Sequence, residues 1–226
     1  MATMIISDLH VPGDCRDPRS DLTVEARSEL LHCLYAWRSA DHDVILAGDG
    51  LELVQFTLAE IERGQGLLCQ AIEDCVTLWV RGNHDGPAHA LCGVEVVPYV
   101  VWRGTLIMHG DWADPFCYGP WAWLGRAAGR FAAWAERAVH PDADLWLDAA
   151  AQRVLRVAGL GRGRYGAPER YRDAALHVLD READAERVVI GHTHAHRPWT
   201  ADGRYANAGT WTGRDWQARG RFIEAP

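Results

Sequence analysis

The 226-residue chain contains no lysine, so all 23 of its basic side chains are arginine. Acidic side chains number 31, which gives a net charge of −8 at pH 7 and a pI of about 5.7. An acidic chain of this kind is not a general nucleic-acid-binding protein, because such proteins present a basic surface to phosphates. We therefore expect no stable nucleic-acid complex and attribute the absence of lysine to compositional bias.

The sequence also lacks any C-x-x-C pair and any apolar run of about 20 residues, the length that spans a bilayer. Charged residues follow Met1 too closely for a signal peptide. In a chain of this length, widely spaced cysteines are expected to be reduced thiols. These absences predict a cytoplasmic protein, with peripheral membrane contact left open. The cysteines are Cys15, Cys33, Cys69, Cys75, Cys92 and Cys117.

Strand and helix patterns alternate through the first 110 residues and predict βαβ units with a largely parallel sheet. A further strand is expected near the C-terminus, followed by a tail with the short alternating segments typical of antiparallel strands. Strand patterns occupy 4–7, 43–48, 75–80, 94–102, 105–109 and 187–190; helical spacing occupies 21–38 and 51–73, the latter broken near 64–66, and the tail is 204–224.

The segment from about 112 to 182 differs in composition, being rich in tryptophan, alanine and arginine. Its patterns are helical at 121–139, 142–158 and 168–182. We therefore predict one domain, 1–226, whose α/β core is interrupted by a helical insertion at about 112–182. A tryptophan-rich helical segment usually packs against its own core; a lid over a substrate and a self-association surface are the alternatives.

Histidine, aspartate or asparagine, usually beside glycine, follows each of five predicted strands. In open α/β sheets ligands bind outside the carboxyl ends of the strands, so these side chains are expected to meet. Carboxylate, imidazole and amide oxygen suit divalent ions such as Mn, Fe or Zn. The residues are Asp8 and His10 in D-L-H, Asp49 in G-D, Asn83, His84 and Asp85 in G-N-H-D, His109 in H-G-D, and His192 and His194 in G-H-T-H.

In this order the motifs resemble those of the calcineurin-like metallophosphoesterase superfamily. The resemblance implies a four-layer α/β/β/α sandwich with two divalent metal ions between the strand ends. It implies that His84 contacts the phosphate or acts as an acid, and that Asp85 orients His84 by a hydrogen bond; a turn-capping role for Asp85 is equally open. The implied ligands are Asp8, His10, Asp49 and His194 for one ion, and Asp49, Asn83, His109 and His192 for the other, with Asp49 bridging.

The chemistry implied by this resemblance is hydrolysis of a phosphoester or pyrophosphate bond by a metal-activated hydroxide. Mn is the preferred ion, with Fe, Zn, Ni and Co as alternatives. Among the implied ligands only Asp8 and Asp49 are anionic, so two divalent ions leave the site near +2. Such a site attracts a phosphorylated small molecule or nucleotide although the protein is acidic, because bound ions dominate the local field.

The nearest resemblance within the superfamily is to the UDP-2,3-diacylglucosamine hydrolases, on the HGD at 109–111, the GHTHAHRP at 191–198, the NAGTW at 207–211 and the helical insertion. It implies a UDP-acylsugar-like substrate beneath a lid, and membrane contact through the insertion. His84 departs from the arginine typical of that subgroup. A broad-specificity phosphodiesterase or phosphatase acting on nucleotides or nucleic-acid ends is therefore one alternative, and a non-catalytic metal-binding scaffold is another.

Overall fold

The structure, a computed structural model, describes residues 1–17, 20–114, 117–118, 168–213 and 222–225, together with positions 123, 127 and 131. The described strands form two sheets. A six-stranded sheet has the order β10-β1-β2-β3-β5-β4, and a four-stranded sheet has the order β6-β7-β8-β9. The strands are β1 Thr3–Ile6, β2 Asp43–Ala47, β3 Leu78–Val80, β4 Ala90–Leu91, β5 Val94–Val97, β6 Val100–Trp102, β7 Thr105–Ile107, β8 Arg187–Ile190, β9 Tyr205–Asn207 and β10 Ile223–Ala225.

Parallel pairing dominates the centre of each sheet and antiparallel strands lie at the edges. β1, β2, β3 and β5 run parallel, while β10 and β4 are antiparallel to their neighbours. In the second sheet β7, β8 and β9 are parallel and β6 is antiparallel. The carboxyl ends of the parallel strands therefore face one side of the molecule, where the sequence places its polar turns.

Among the described residues, three helices cover the outer faces of the sheets: α1 Val24–Ser39, α2 Leu58–Cys75 and α3 Pro168–Leu179. The Thr23 hydroxyl caps α1 by accepting from the Ala26 N–H. A reciprocal capping box of Thr57 and Glu60 begins α2, which satisfies two N–H groups that a helix start leaves unpaired. Gln65 leaves helical geometry at φ −124°, as expected from the glycines on either side.

Side-chain alternation along the strands divides the core into layers. Met4 and Ile6 of β1 pack with the residues of α1 and α2, whereas Ile5 packs between the two sheets. Likewise Ile107 of β7 faces the first sheet, and Leu106 faces α3. Because successive strand residues point to opposite faces, each sheet buries both of its faces. The predicted α/β/β/α sandwich is confirmed.

Several local expectations were wrong. β3 begins only at Leu78, because α2 continues to Cys75 through the start of the expected strand. The tail is not wholly antiparallel, since β9 runs parallel to β8. Residues 51–57 precede the helix, whose capping box sets its start at Leu58. β4, which forms a short hairpin with β5, was not anticipated.

The segment predicted as an insertion contributes one helix to the core. α3 packs on the second sheet through Tyr171, Ala175 and Leu179, and forms the outer layer there. The helices predicted at 121–139 and 142–158 lie almost entirely outside the described residues. None of the described helices is long and apolar enough to cross a membrane.

Candidate metal centre

The backbone turns sharply where the predicted site residues begin. Eight non-glycine residues in the described part of the chain have positive φ, and five of them are predicted metal ligands: Asp8, His10, Asp49, His192 and His194, with φ between 43° and 65°. This left-handed conformation is uncommon for residues with a Cβ and clusters at functional sites. It bends each loop back over the strand ends, and hydrogen bonds from the Asp8 N–H to Gly48 O (3.0 Å) and from the His10 N–H to Asp49 O (2.9 Å) join the first two loops.

Asp8, His10 and His194 form one group of ligand atoms. His194 Nε2 lies 3.2 Å from Asp8 Oδ1 and 3.3 Å from His10 Nε2. Asp8 is fully buried, and its other oxygen accepts hydrogen bonds from the Ser7 hydroxyl (2.5 Å) and the His192 N–H (2.9 Å). Oδ2 is therefore held by the protein while Oδ1 faces the two imidazoles.

Asp49, His109 and His192 form the second group, with ligand atoms within 4.8 Å of one another. His109 Nε2 lies 3.1 Å from Asp49 Oδ2, and the His109 and His192 rings are 5.1 Å apart. The same Asp49 oxygen is 3.8 Å from His10 Nε2. Asp49 thus lies between the two groups, the position that a bridging carboxylate would need.

The buried atoms of these groups have the chemistry of metal ligands. Asp8 Oδ1 and His109 Nε2 are buried and have no hydrogen-bond partner. A peptide oxygen can only accept, so the 2.9 Å contact of His109 Nδ1 with Ala47 O keeps a proton on Nδ1, and when the ring is neutral its lone pair is on Nε2. Histidines that bind metals are oriented in this way by their second nitrogen. The residues fit a divalent cation.

The carboxylates and imidazoles of the site compensate one another electrostatically. Burial acts to lower the pKa of His10, but Glu52, Asp49 and Asp8 outweigh it and raise the pKa to about 10. Burial also acts to lower the pKa of His109, but the negative charge of Asp49 outweighs burial and raises that pKa. Burial acts to raise the pKa of Asp8, yet His194 and His109 bring it down to about 2. The raised pKa values of His10 and His109 therefore favour positively charged imidazoles beside these carboxylates.

The turn after β3 docks on the bridging carboxylate. The His84 N–H donates to Asp49 Oδ1 at 2.8 Å, and the His84 ring lies 4.7 Å from that of His10. Asn83 is exposed in the same turn, next to His84. The structure thus brings the G-N-H-D turn to the other predicted residues.

Asp85 does not orient His84, which corrects the expected hydrogen bond. Its Oδ2 accepts from the N–H groups of Asp49 (2.9 Å) and Gly82 (2.8 Å) and from Trp79 Nε1 (3.0 Å). Its Oδ1 accepts from the Leu51 N–H at 3.1 Å. Asp85 is fully buried and accepts hydrogen bonds from four donors. It therefore caps its own turn and also joins the loop after β3 to the loop after β2.

Glu52 takes the place that the sequence analysis gave to Asp85. Its Oε1 is 2.8 Å from His84 Nδ1, and its Oε2 is 2.8 Å from His10 Nδ1. Burial acts to raise the pKa of Glu52, but His84 and His10 lower it to about 2, so the carboxylate is ionised. The available signal was its position three residues after Asp49, in G-D-G-L-E, on the loop that meets both histidines.

Glycine is required at two of the motif positions for lack of space. A Cβ on Gly82 would lie 2.2 Å from Asp49 Oδ1, and a Cβ on Gly191 would lie 1.9 Å from Ser7 Oγ and 2.6 Å from Asp8 Oδ2. Contacts under 3.0 Å are not tolerated. These glycines let the loops close on the site carboxylates.

The family model described as calcineurin-like phosphoesterase matches residues 1–196, most of the chain. The chain belongs to this family. The matched range includes every predicted site residue, from Asp8 to His194. Membership implies metal-dependent hydrolysis of phosphoesters, which agrees with the clustered aspartates and histidines of the calcineurin-like phosphoesterase described here.

One solved structure similar to this calcineurin-like phosphoesterase is that of the calcineurin-like phosphoesterase YfkN from Bacillus subtilis. The two share 10% identity with a TM-score of 0.42, over 93% of this chain and 81% of that one. No curated protein matches. The family model shows the family and does not reach the narrower resemblance to UDP-2,3-diacylglucosamine hydrolases.

Proposed function

We propose that this protein hydrolyses phosphoester or pyrophosphate bonds with two divalent metal ions held on a shared Asp49. The supporting observation is the pair of ligand groups on either side of Asp49, with buried atoms that lack partners. Mn is the ion we favour, with Fe, Zn, Ni and Co as alternatives. One ion would be held by Asp8, His10, Asp49 and His194, and the other by Asp49, Asn83, His109 and His192.

When bound, two such ions supply positive charge against the phosphoryl oxygens and lower the pKa of a water nucleophile. His84 is our candidate for the proton donor to the leaving oxygen. Glu52 holds its Nδ1 at 2.8 Å, which fixes the ring and favours its protonated form, while Nε2 stays available to a substrate. The side chain is only partly buried, so a substrate can reach it.

A manganese-dependent assay on bis-p-nitrophenyl phosphate tests this function. His84→Ala should lower turnover by about 10²–10⁴-fold, the usual contribution of a positioned acid or base, while metal content stays near that of the wild type. Asp49→Ala should lose both ions and all turnover. Two ions per chain in Asp49→Ala would show that Asp49 does not bridge.

Two substrate classes are proposed, and a panel separates them. The HGD and GHTHAHRP segments support a UDP-acylsugar-like substrate. The G-N-H-D turn has His84, which hydrogen-bonds to Glu52, and this supports a broad-specificity phosphodiesterase or phosphatase acting on nucleotides or nucleic-acid ends. We would compare an acylated UDP-sugar, cyclic nucleotides, simple monoesters and single-stranded oligonucleotides. Metal-loaded protein that turns over none of them would favour the non-catalytic scaffold.

The predicted single domain with a helical insertion, the cytoplasmic location, membrane contact through the insertion and self-association stay predictions. The further prediction that this insertion forms a lid bears on the substrate. Deleting the segment between Trp112 and α3 and measuring KM for an acylated and a non-acylated ester would test it: a lid for acyl groups predicts a loss confined to the acylated ester.

A further inference from the structure

Two cysteines contact each other between helix α2 and the hairpin of β4 and β5, and neither belongs to the ligand groups of the candidate metal centre. Cys69 lies on α2 and is 9% exposed, and Cys92 is half-buried in the hairpin turn. Both are free thiols that pack in the same hydrophobic cluster. The Cys92 S–H donates a hydrogen bond to the Cys69 sulfur, so the two sulfur atoms are neighbours.

The hairpin turn holds the Cys92 side chain against α2. The strands pair up to the residues on either side of the turn, which therefore consists of Cys92 and Gly93 alone, with φ of 44° and 73°. Positive φ at both positions is typical of a type I′ turn, where asparagine, aspartate or glycine is the usual first residue. A Cβ on Gly93 would lie 2.7 Å from Glu73 Oε1, so the turn rests on α2. Because Cys69 is one helical turn before Glu73 on the same face, the turn lies over Cys69.

The contact makes the two thiols chemically unequal. The hydrogen bond from Cys92 lowers the pKa of Cys69, although burial acts to raise that pKa. The same hydrogen bond, together with burial, raises the pKa of Cys92. The thiolate is the form of cysteine that attacks a disulfide. Cys69 is therefore the attacking thiol of the pair, and Cys92 is the thiol that completes the reaction.

We propose that Cys69 and Cys92 form a reversible disulfide when the protein is exposed to a low-molecular-weight disulfide such as oxidised glutathione. The Cys69 thiolate attacks one sulfur of the oxidant, which forms a mixed disulfide and releases one glutathione thiolate. Cys92 then loses its proton and attacks the Cys69 sulfur, which forms the bond within the protein and releases the second glutathione thiolate. Two protein thiols are oxidised, and one glutathione disulfide is reduced to two thiols that take up the protons.

The bond would close a segment that carries part of the candidate metal centre. Residues 69–92 include β3 and the G-N-H-D turn with Asn83, His84 and Asp85. A disulfide stabilises a fold mainly by restricting the unfolded chain. The oxidised protein should therefore have a urea midpoint higher by on the order of 1 M, and equal midpoints for the two forms would contradict this consequence. The inference does not depend on hydrolysis, because thiol–disulfide exchange needs no metal ion.

The test is a count of free thiols in full-length, manganese-loaded protein equilibrated with reduced or oxidised glutathione. N-ethylmaleimide in denaturant would block the remaining thiols, and mass spectrometry would count them. We expect all six cysteines to be blocked after reduced glutathione and two fewer after oxidised glutathione. Trypsin cleaves after Arg63, Arg81 and Arg103, so the bond would join the peptides 64–81 and 82–103. Adding reduced glutathione should separate them again.

Cys75→Ala is the matched control, because Cys75 lies in the same tryptic peptide as Cys69, at the end of α2, and should not be needed for the bond. Cys69→Ala should lose the joined peptides. Cys92→Ser should lose them too and instead keep one glutathione on Cys69. Six blocked cysteines in the wild type after oxidised glutathione, joined peptides that survive Cys69→Ala, or joined peptides that are lost in Cys75→Ala would overturn the proposal.

Discussion

Glu52 is the residue whose replacement should reveal how the centre is organised. Its side chain is 9% exposed, and its two oxygens each lie 2.8 Å from a histidine Nδ1, one on His10 and one on His84. Glu52→Gln keeps the size and shape but leaves one acceptor oxygen where two are needed. The amide NH₂ then faces an Nδ1 that must accept, so one imidazole changes its tautomer or turns away.

The magnitude follows from those two contacts. Each is a hydrogen bond to an ionised carboxylate, a class worth about 1.5–3 kcal/mol, and one of the two is lost. If His10 changes tautomer, its Nε2 carries a proton toward the metal site and ceases to be a ligand; if His84 changes, the proposed acid loses the carboxylate that keeps it protonated. Replacing residues that orient metal ligands typically lowers metal affinity or activity about 10–100-fold.

The assay is kcat/KM on bis-p-nitrophenyl phosphate across a manganese titration, which separates the two outcomes. Weak activity that recovers at high manganese indicates that His10 is affected, and weak activity at every concentration indicates His84. Glu95→Gln is the control, because Glu95 is an exposed glutamate on β5. Metal affinity and kcat/KM within twofold of the wild type would refute the reasoning.

Three further predictions concern the supports of the centre. Asp85→Asn should lower the free energy of unfolding by about 2 kcal/mol, because the new amide NH₂ would face the Leu51 N–H across a 3.1 Å contact and two donors would oppose each other. Urea denaturation measures this free energy, and an unchanged value would argue against the role of Asp85 in linking the two loops. Gly82→Ala should lose metal and activity, since its Cβ would meet Asp49 Oδ1, whereas Gly66→Ala, with nothing within 4 Å, should retain both. Apparent manganese affinity should rise with pH, because the pKa values of His10 and His109 are raised and the metal must displace their protons. Calorimetry in buffers of different ionisation enthalpy would count the displaced protons. A manganese affinity that is independent of pH between about 6.5 and 9 would contradict this prediction.

The local pattern of the sequence was enough to predict where the polar turns lie. Buried strands such as β1, β2 and β8 have continuous apolar runs, and each ends at a glycine or at an aspartate–histidine motif. Parallel strands align their carboxyl ends, so the turns had to share one edge. Strand direction in the tail was missed, because the pairing of β9 with β8 depends on a partner remote in sequence.

Side-chain partners could not be predicted to the same degree. The adjacency of His84 and Asp85 suggested a pair, but consecutive residues in a tight turn point in different directions. Asp85 turns inward to four N–H donors, while His84 reaches Glu52 on the loop after β2. That pairing depends on how two loops pack, and the hydrogen bond from the His84 N–H to Asp49 sets it.

At the candidate metal centre, the side chains that metal binding needs are attached to residues in an unfavourable backbone conformation. Asp8, His10, Asp49, His192 and His194 occupy left-handed conformations that glycine would adopt at little cost, and such conformations cost about 1–3 kcal/mol each for other residues. A sequence rule that assigns left-handed conformations to glycine would not have predicted this conformation for these five residues. They persist because the loops must reverse within one or two residues of the strand end for their side chains to face a common point. The strain is therefore tied to the ligand geometry itself, and relieving it with glycine would remove the atoms that the centre needs.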